Sequence, residues 1–434
     1  MNWLRVASVR QQAWSRKFGQ ESYSREVLIL VAGTAGAQMV SLVAAPLLAR
    51  MYSPTAFGAL ALFSAVSGFV ATVVTLKYEV AILLPRDDRE SSSLVLLSLW
   101  LAAGLGAVVV VGLATVPTPV TAFLGLEGLG GWLALSGLAG TMAAVFAVGS
   151  AWLNRERRYV LMAAAKFSQS GTAAIVALGF GLLGLQSGLL IAQLVAGLLG
   201  LIVLSRPVSK LIRVGIRVPL RQVAREYSAS PKFLLPAAAL DVATSIMPVF
   251  LIAALFNVEA AGQYSLAWRM VALPLTLCGM AMGQVFFRRF AQAVAEGRGA
   301  KKLLYHTWAA LFLVGVIPAL LIMAAGPSIF SVLFGARWSP AGAMASALAP
   351  MLLAILISSP TSTTFVVLGL QRLNLVFGAA TLAYRPALLL VGWMLNDLVL
   401  AFVLWSAVEV IQIVIYNWIA IKTLDVRLAR PSTQ

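Results

Sequence analysis

The feature that most restricts what this chain can become is the recurrence of long apolar runs along its 434 residues. They occupy 27–49, 56–76, 92–114, 132–153, 159–182 and 184–205, then 234–256, 262–286, 306–326, 341–369, 373–394 and 398–420. A helix rises about 1.5 Å per residue, so about 20 apolar residues span the ~30 Å hydrocarbon layer of a bilayer. In lipid a segment must satisfy its own backbone N–H and C=O groups, which selects helix for each run. The expected fold is an all-α polytopic membrane protein with twelve transmembrane helices. Composition excludes the soluble alternative: 61% of residues are hydrophobic and only 11% charged, against about a quarter charged in soluble domains.

The chain carries 32 Lys plus Arg against 15 Asp plus Glu, a net charge of +17. Sorted by alternate loops, 27 of the cations fall on the side of the N-terminus, and only Arg50 and Arg337 on the other. By the positive-inside rule both termini are expected in the cytoplasm. No polar surface domain exists to hold a nucleic acid, so the positive charge belongs to loops and membrane faces. With one cysteine, Cys278, and one histidine, His306, neither an intramolecular disulfide nor a Cys/His metal cluster is expected. Cys278 reads as a small apolar filler, and His306 as a headgroup-level residue beside Trp308. Residues 1–26 lack the apolar core of a signal peptide. Trp3, Leu4, Trp14 and Phe18 among Arg5, Arg10, Arg16 and Lys17 suit a basic amphipathic segment on anionic lipids, or a solvated tail.

The longest polar interruption, 206–233, separates six runs from six, giving an N-lobe over 27–205, a C-lobe over 234–420 and a cytoplasmic tail over 421–434. Both halves start and end on the same side, so a repeat would be parallel, about an axis along the membrane normal. A faint repeat exists at an offset of 204 residues: Ala56, Gly58 and Leu62 recur as Ala260, Gly262 and Leu266, each set after the first helix of its half. The loop 115–131 contains Gly125, Gly128, Gly130 and Gly131. It lacks the strand and the Lys-Ser/Thr of a phosphate cradle and reads as a flexible turn.

No nucleotide-hydrolysing, metalloprotease, esterase or kinase signature occurs, so an enzyme is not expected and a secondary transporter is the simplest class. Its chemistry then rests on ionisable groups at membrane depth, which cost about 2.5–3.5 kcal/mol each on insertion scales. There are five: Lys166, Asp241, Arg269, Arg385 and Glu409. The cations facing a water-filled cavity would draw in an anionic substrate and give charge-assisted hydrogen bonds to phosphate. Alternatively, Arg385 and Glu409 form a buried pair and Lys166 reaches back to the headgroups. Arg269 lies too deep for that. Asp241, flanked by Pro236 and Pro248, suits either a Na⁺ or H⁺ site in a broken helix or a partner for Lys232. No other cofactor is called for. Within or at the ends of their runs, the second-half helices also hold Pro274, Pro318, Pro350, Pro360 and Pro386, whereas the first-half helices contain almost none beyond Pro46.

The stretch Pro46-Leu47-Leu48-Ala49-Arg50-Met51-Tyr52-Ser53-Pro54-Thr55-Ala56-Phe57-Gly58, followed by Lys77-Tyr78-Glu79-Val80-Ala81, resembles bacterial polysaccharide exporters of the O-antigen flippase (Wzx-like) type. Ala261-Gly262-Gln263-Tyr264 and Leu333-Phe334-Gly335-Ala336-Arg337-Trp338 extend the likeness over nearly the whole chain. These exporters belong to the multidrug/oligosaccharidyl-lipid/polysaccharide exporter superfamily. The resemblance implies two six-helix lobes around a V-shaped cleft in the bacterial inner membrane. It implies alternating access that moves undecaprenyl-pyrophosphate-linked oligosaccharide to the periplasmic leaflet, beside a polysaccharide polymerase and a chain-length regulator. By position and charge, Arg269, Lys166 and Arg385 would line the cationic cavity, with Arg50 near the outer mouth and Lys77 near the inner. Asp241 and Glu409 are the ion-coupling candidates. The competing readings are an ion-coupled drug exporter, which would prefer acidic groups at depth, and a polymerase or ligase, which would need large outer loops.

Overall fold

The computed structural model describes residues 20–429 apart from 124, 127, 128, 215–217, 297, 360 and 369. Among the described residues there is no strand, and twelve helices reach twenty residues or more. They are α1 (Gln20–Met51), α2 (Pro54–Val73), α3 (Asp88–Ala114), α4 (Trp132–Arg155), α5 (Tyr159–Leu182) and α6 (Gly188–Val214). The second half supplies α7 (Leu235–Leu255), α8 (Val258–Ala295), α9 (Ala300–Phe334), α10 (Ser339–Ser358), α11 (Gln371–Met394) and α12 (Leu398–Ala429). Among the described residues ten segments, in all of these but α1 and α8, are long and apolar enough to cross a membrane. The protein is a multi-pass membrane protein.

Each apolar run overlaps a long helix, but the ends do not follow hydropathy. Asn257 accepts a 2.7 Å bond from the Ala260 N–H and starts α8 four residues ahead of the apolar run. The run 341–369 breaks instead of remaining one helix: α10 stops at Ser358, and a short helix, Thr361–Leu368, follows. Proline at 360 has no N–H to carry the ladder on. α9 stays one segment but kinks at Ala325, whose φ of −132° is non-helical, just before Gly326 and Pro327. The interruption at 206–233 is itself largely helical, since α6 runs on to Val214 and Leu220–Glu226 forms a further short helix. Residues 1–19 of the basic N-terminal segment, Gly128, and the side chain of Cys278 lie outside the described residues.

Contacts divide the chain into two compact units. The first comprises 1–44, 66–115 and 131–240; the second 45–65, 116–130 and 241–434. In the first, α4 packs on α3 and α6, and α5 on α6. One cluster joins Tyr78, Ile82, Leu94, Val95, Val148, Trp152 and Val223, so the wholly buried Val223 ties the Leu220–Glu226 helix to α3 and α4. A second joins Leu153, Met162, Ala165 and Leu204.

In the second unit α10 is the central helix and packs on α8, α9 and α12. Ala341, Ala345, Leu348, Ala349, Leu352 and Leu356 are all buried along it. α9 and α10 meet closely because Gly326 and Gly342 oppose each other, and a Cβ on either would overlap the other's carbonyl group. Phe286, Phe290, Leu304, Leu368 and Leu424 close the far end of this core.

Candidate functional site: charged and polar clusters at helix ends and at depth

The repeat of 204 residues becomes a physical contact in the second unit. Ser53 Oγ accepts from the Ala56 N–H at 3.2 Å, and its counterpart Asn257 Oδ1 accepts from Ala260 N–H at 2.7 Å. Two turns begin in this way, and their helices cross at glycine. A Cβ on Gly58 would overlap the Val258 carbonyl oxygen, and a Cβ on Gly262 would overlap that of Pro54. Pro54 and Val258 are themselves 204 residues apart, so the two halves exchange equivalent contacts.

Beside this crossing sit the two cations isolated by the charge count. Arg50 donates from Nη2 to the Val332 carbonyl at 2.8 Å and from Nε to that of Leu333 at 3.3 Å. Those carbonyls belong to the last turn of α9, which has no further helical N–H to serve them. Arg337 donates in return to the Arg50 carbonyl at the end of α1. Trp338, fully buried, donates its indole N–H to the Ala49 carbonyl at 2.8 Å and packs edge-on to Phe57 with centroids 5.0 Å apart. Buried Gln263 holds this turn in place, giving Nε2 to the Arg337 carbonyl (2.8 Å) and accepting from the Ala341 N–H (3.1 Å). The sequence supplied Arg337 and Trp338 as family-like residues but no sign that they meet Ala49 and Arg50.

Arg385 and Glu409 form an ion pair between α11 and α12, with Nη2 to Oε1 at 3.0 Å and side chains 15% and 8% exposed. Nη2 and Nε of the same guanidinium also reach Oε2, at 3.1 and 3.3 Å. Tyr384 Oη donates to Oε2 at 2.6 Å and Trp405 Nε1 at 3.0 Å, while the guanidinium lies 5.1 Å from the Trp405 ring centroid. The carboxylate is thus saturated with donors, and the charge of Arg385 is neutralised in place. Tyr384 and Trp405 were not singled out from sequence, although Trp405 stands one turn before Glu409 on the same face of α12.

Arg269 is exposed on α8 and has no hydrogen bond or ion pair among the described residues. Because α8 starts at Val258, four residues before the apolar run at 262, Arg269 lies three turns deep rather than the two that the run gives, about 16 Å from the helix start. Lys166, two turns into α5 in the first unit, is half-buried and equally unpaired among the described residues. Asp241 is exposed on α7, and its carboxylate has no partner among the described residues; only its carbonyl is used, by Ser245 Oγ at 2.9 Å. Lys232 does not pair with it. The helical irregularity near it is a π-turn over Ser230–Leu234, ahead of Pro236, whereas α7 stays helical through Pro248.

Lys77 belongs to a turn in the first unit. Leu76 and Lys77 both take left-handed backbone, with φ of 50° and 63°. A left-handed residue with a side chain costs about 1–2 kcal/mol, and Glu79 secures the turn. It accepts from Thr75 Oγ1 at 2.6 Å and lies 3.4 Å from Lys77 Nζ. Tyr78 Oη donates to the Ala224 carbonyl at 3.0 Å, joining this turn to the Leu220–Glu226 helix. No group of three or more potential metal ligands occurs among the described residues.

The chain is a polytopic helical bundle whose distinctive polar groups, among the described residues, are cations and ion pairs. Its fold is that of the MOP-superfamily transporters. An inward-facing multidrug resistance MATE-family transporter of that superfamily superposes with a TM-score of 0.60 at 15% identity, covering 93% of this chain and 96% of the other. A MOP-superfamily transporter from Pyrococcus furiosus, described as having a binding pocket of reverse polarity, gives 0.54 at 13% identity over the same shares. A MATE transporter in complex with MaL6 gives 0.55 at 14%, again over 93% and 96%. No curated protein sequence matches the chain. Residues 47–343 match the polysaccharide biosynthesis protein family, and the chain belongs to that family.

Proposed function

We propose that this transporter moves an undecaprenyl-pyrophosphate-linked oligosaccharide from the cytoplasmic to the periplasmic leaflet of a bacterial inner membrane, by alternating access, for surface polysaccharide assembly. The observation that carries this reading is Arg269: a cation exposed and unpaired among the described residues, three turns into the long helix α8 of a polysaccharide biosynthesis protein. Left against lipid it would cost about 2.5–3.5 kcal/mol, and a water-filled substrate path removes that cost. A guanidinium also matches the geometry of a phosphate in a two-point hydrogen bond. Lys166, in the first unit, is the second cation without a partner among the described residues and a separate candidate for phosphate contact. Arg385 contributes by shaping the α11–α12 contact, while Lys77 and Arg50 act at the inner and outer mouths. The 27 cations on one side of the runs support cytoplasmic termini and contacts with anionic lipids. A polysaccharide polymerase would consume the product, with a chain-length regulator as a further partner. Asp241 is the first candidate for Na⁺ or H⁺ coupling, and Glu409 the second.

The test is a reconstituted flipping assay with a fluorescent lipid-linked oligosaccharide, comparing the parent protein with Arg269→Ala at equal insertion. Loss of flipping is expected, and an undiminished rate overturns the assignment. The exposed carboxylate of Asp241 favours one rival, an ion-coupled drug exporter. Vesicles that accumulate a cationic dye but flip no lipid-linked sugar would establish that rival instead.

A further inference from the structure

We propose that Arg50 and Arg337, with Trp338, form a latch that holds the extracytoplasmic end of the transporter closed by cross-capping two helix ends from opposite halves of the sequence. This rests on the alternating-access reading above, and it concerns the gate rather than the substrate.

The argument starts at the helix ends. α1 ends at Met51 and α9 at Phe334, and each leaves carbonyls without helical donors. The usual remedy is a local cap, or a basic side chain from the same last turn. Here each end is served from the other half of the chain. Arg50, from the end of α1, covers Val332 and Leu333 in α9. Arg337, just beyond α9, covers Arg50 itself, and Trp338 covers Ala49. The negative ends of two helix dipoles are thereby brought together and neutralised by guanidinium groups. The contact has no covalent or apolar continuity of its own at the arginines, both of which are exposed. Water can therefore take over each carbonyl once the ends part, which a reversible gate requires.

The surrounding residues fix where the latch closes. The Gly58 and Gly262 crossing sits immediately beside it and gives backbone-to-backbone contact without intervening side chains. Gln263, one residue after that crossing, pins the turn that carries Arg337 and Trp338. Gly125, in the loop between α3 and α4, lies against the backbone of Ala253 and Ala254 at the end of α7. Ala253 is 204 residues from Ala49. The loop before α4 therefore meets the end of α7 as the loop before α10 meets the end of α1. The two contacts are equivalents under the repeat, but only the second is reinforced by arginines, so it holds the specific lock.

The test uses Cys278→Ala protein with spin labels on cysteines replacing Leu47 and Val332, which are exposed at 55% and 72%. Distances are measured by pulsed electron resonance in nanodiscs without substrate. The parent is expected to give one dominant short distance. Losing the charge-assisted bonds in Arg50→Ala/Arg337→Ala is expected to raise a longer-distance population about tenfold. Trp338→Phe keeps the buried ring but removes the donor to Ala49, and Arg50→Lys loses the two-point fork; each is expected to give a smaller rise. These two variants carry the test if the double alanine variant does not fold. An unchanged distribution in the variants that fold overturns the latch. A shifted distribution in a protein that flips no lipid-linked sugar would keep the latch and remove only the substrate reading.

Discussion

Gly58 and Gly262 touch each other's helices at equivalent points: the carbonyl of Val258 fills the place of a Cβ on Gly58, and that of Pro54 the place of a Cβ on Gly262. A Cβ on Gly262 would also stand 2.7 Å from Gly58 N. Neither neighbour is a flexible side-chain tip, so the backbones themselves would have to part. Of the three identities in the repeat, the glycine pair answers a steric demand at one crossing, on both sides of it.

Either Gly58→Ala or Gly262→Ala is therefore expected to destabilise the protein by about 1–3 kcal/mol, the usual cost of overpacking a close contact. The measurement is thermal unfolding in detergent together with the yield of monodisperse protein. Alanine at Gly104 or Gly112, where a Cβ meets nothing within 4 Å, is the control expected to leave both unchanged. Equal behaviour at Gly262 and Gly104 would refute the crossing.

The Arg385–Glu409 cluster gives a second expectation. Removing one member of a buried pair costs about 3–5 kcal/mol because the other charge is left uncompensated. Arg385→Met and Glu409→Leu should each lower the unfolding temperature strongly. The double variant should recover much of the loss, though not all, because Tyr384 Oη and Trp405 Nε1 lose their acceptor as well. A double variant as unstable as the sum of the singles would show that the pair is not coupled. If a double variant of recovered stability still flips substrate, Arg385 acts through packing; if it does not, its charge is used in transport.

These clusters show which parts of the molecule can be read from sequence. Run length placed all twelve long helices, because span and apolarity are local properties. Helix ends were less legible: Asn257 sets the start of α8 by a hydrogen bond, and that shift of four residues moves Arg269 from two turns deep to three. The pairing of Arg385 with Glu409 was open from their depths alone. Tyr384 and Trp405 join them only because α11 and α12 are rotated to face each other, which hydropathy does not encode. Arg50 was read as a mouth residue, but its carbonyl partners lie more than 280 positions away. No local pattern specifies such a contact, and only the packed backbone reveals that its guanidinium caps a helix.

For the substrate path, Arg269→Ala is expected to lower export at least about tenfold, the scale of one lost charge-assisted hydrogen bond to phosphate. Arg269→Lys should restore part of it, since charge survives while the two-point geometry does not. Lys166→Ala should give a smaller loss of the same kind, and Lys166→Arg should be tolerated. Surface polysaccharide measured in cells at matched protein level decides the matter. Full export by Arg269→Ala would remove the cationic contact, and equal rescue by lysine would reduce it to simple charge attraction.

Asp241 provides the sharpest test of coupling. Its carboxylate is exposed, lies in the apolar segment Ser230–Leu255, and is unpaired among the described residues. A carboxylate about 16 Å into such a segment has a strong reason to take a cationic partner when lipid or substrate surrounds it. Asp241→Asn keeps the size and the Ser245 bond to the main-chain carbonyl while deleting the charge. Flipping in vesicles with an imposed Na⁺ or pH gradient should then become insensitive to that gradient, while downhill exchange without a gradient persists. Glu409→Gln should behave differently, losing stability before coupling, because its carboxylate is already saturated by Tyr384, Arg385 and Trp405. Gradient dependence that survives in Asp241→Asn but vanishes in a stably folded Glu409→Gln would transfer the coupling role from α7 to α12.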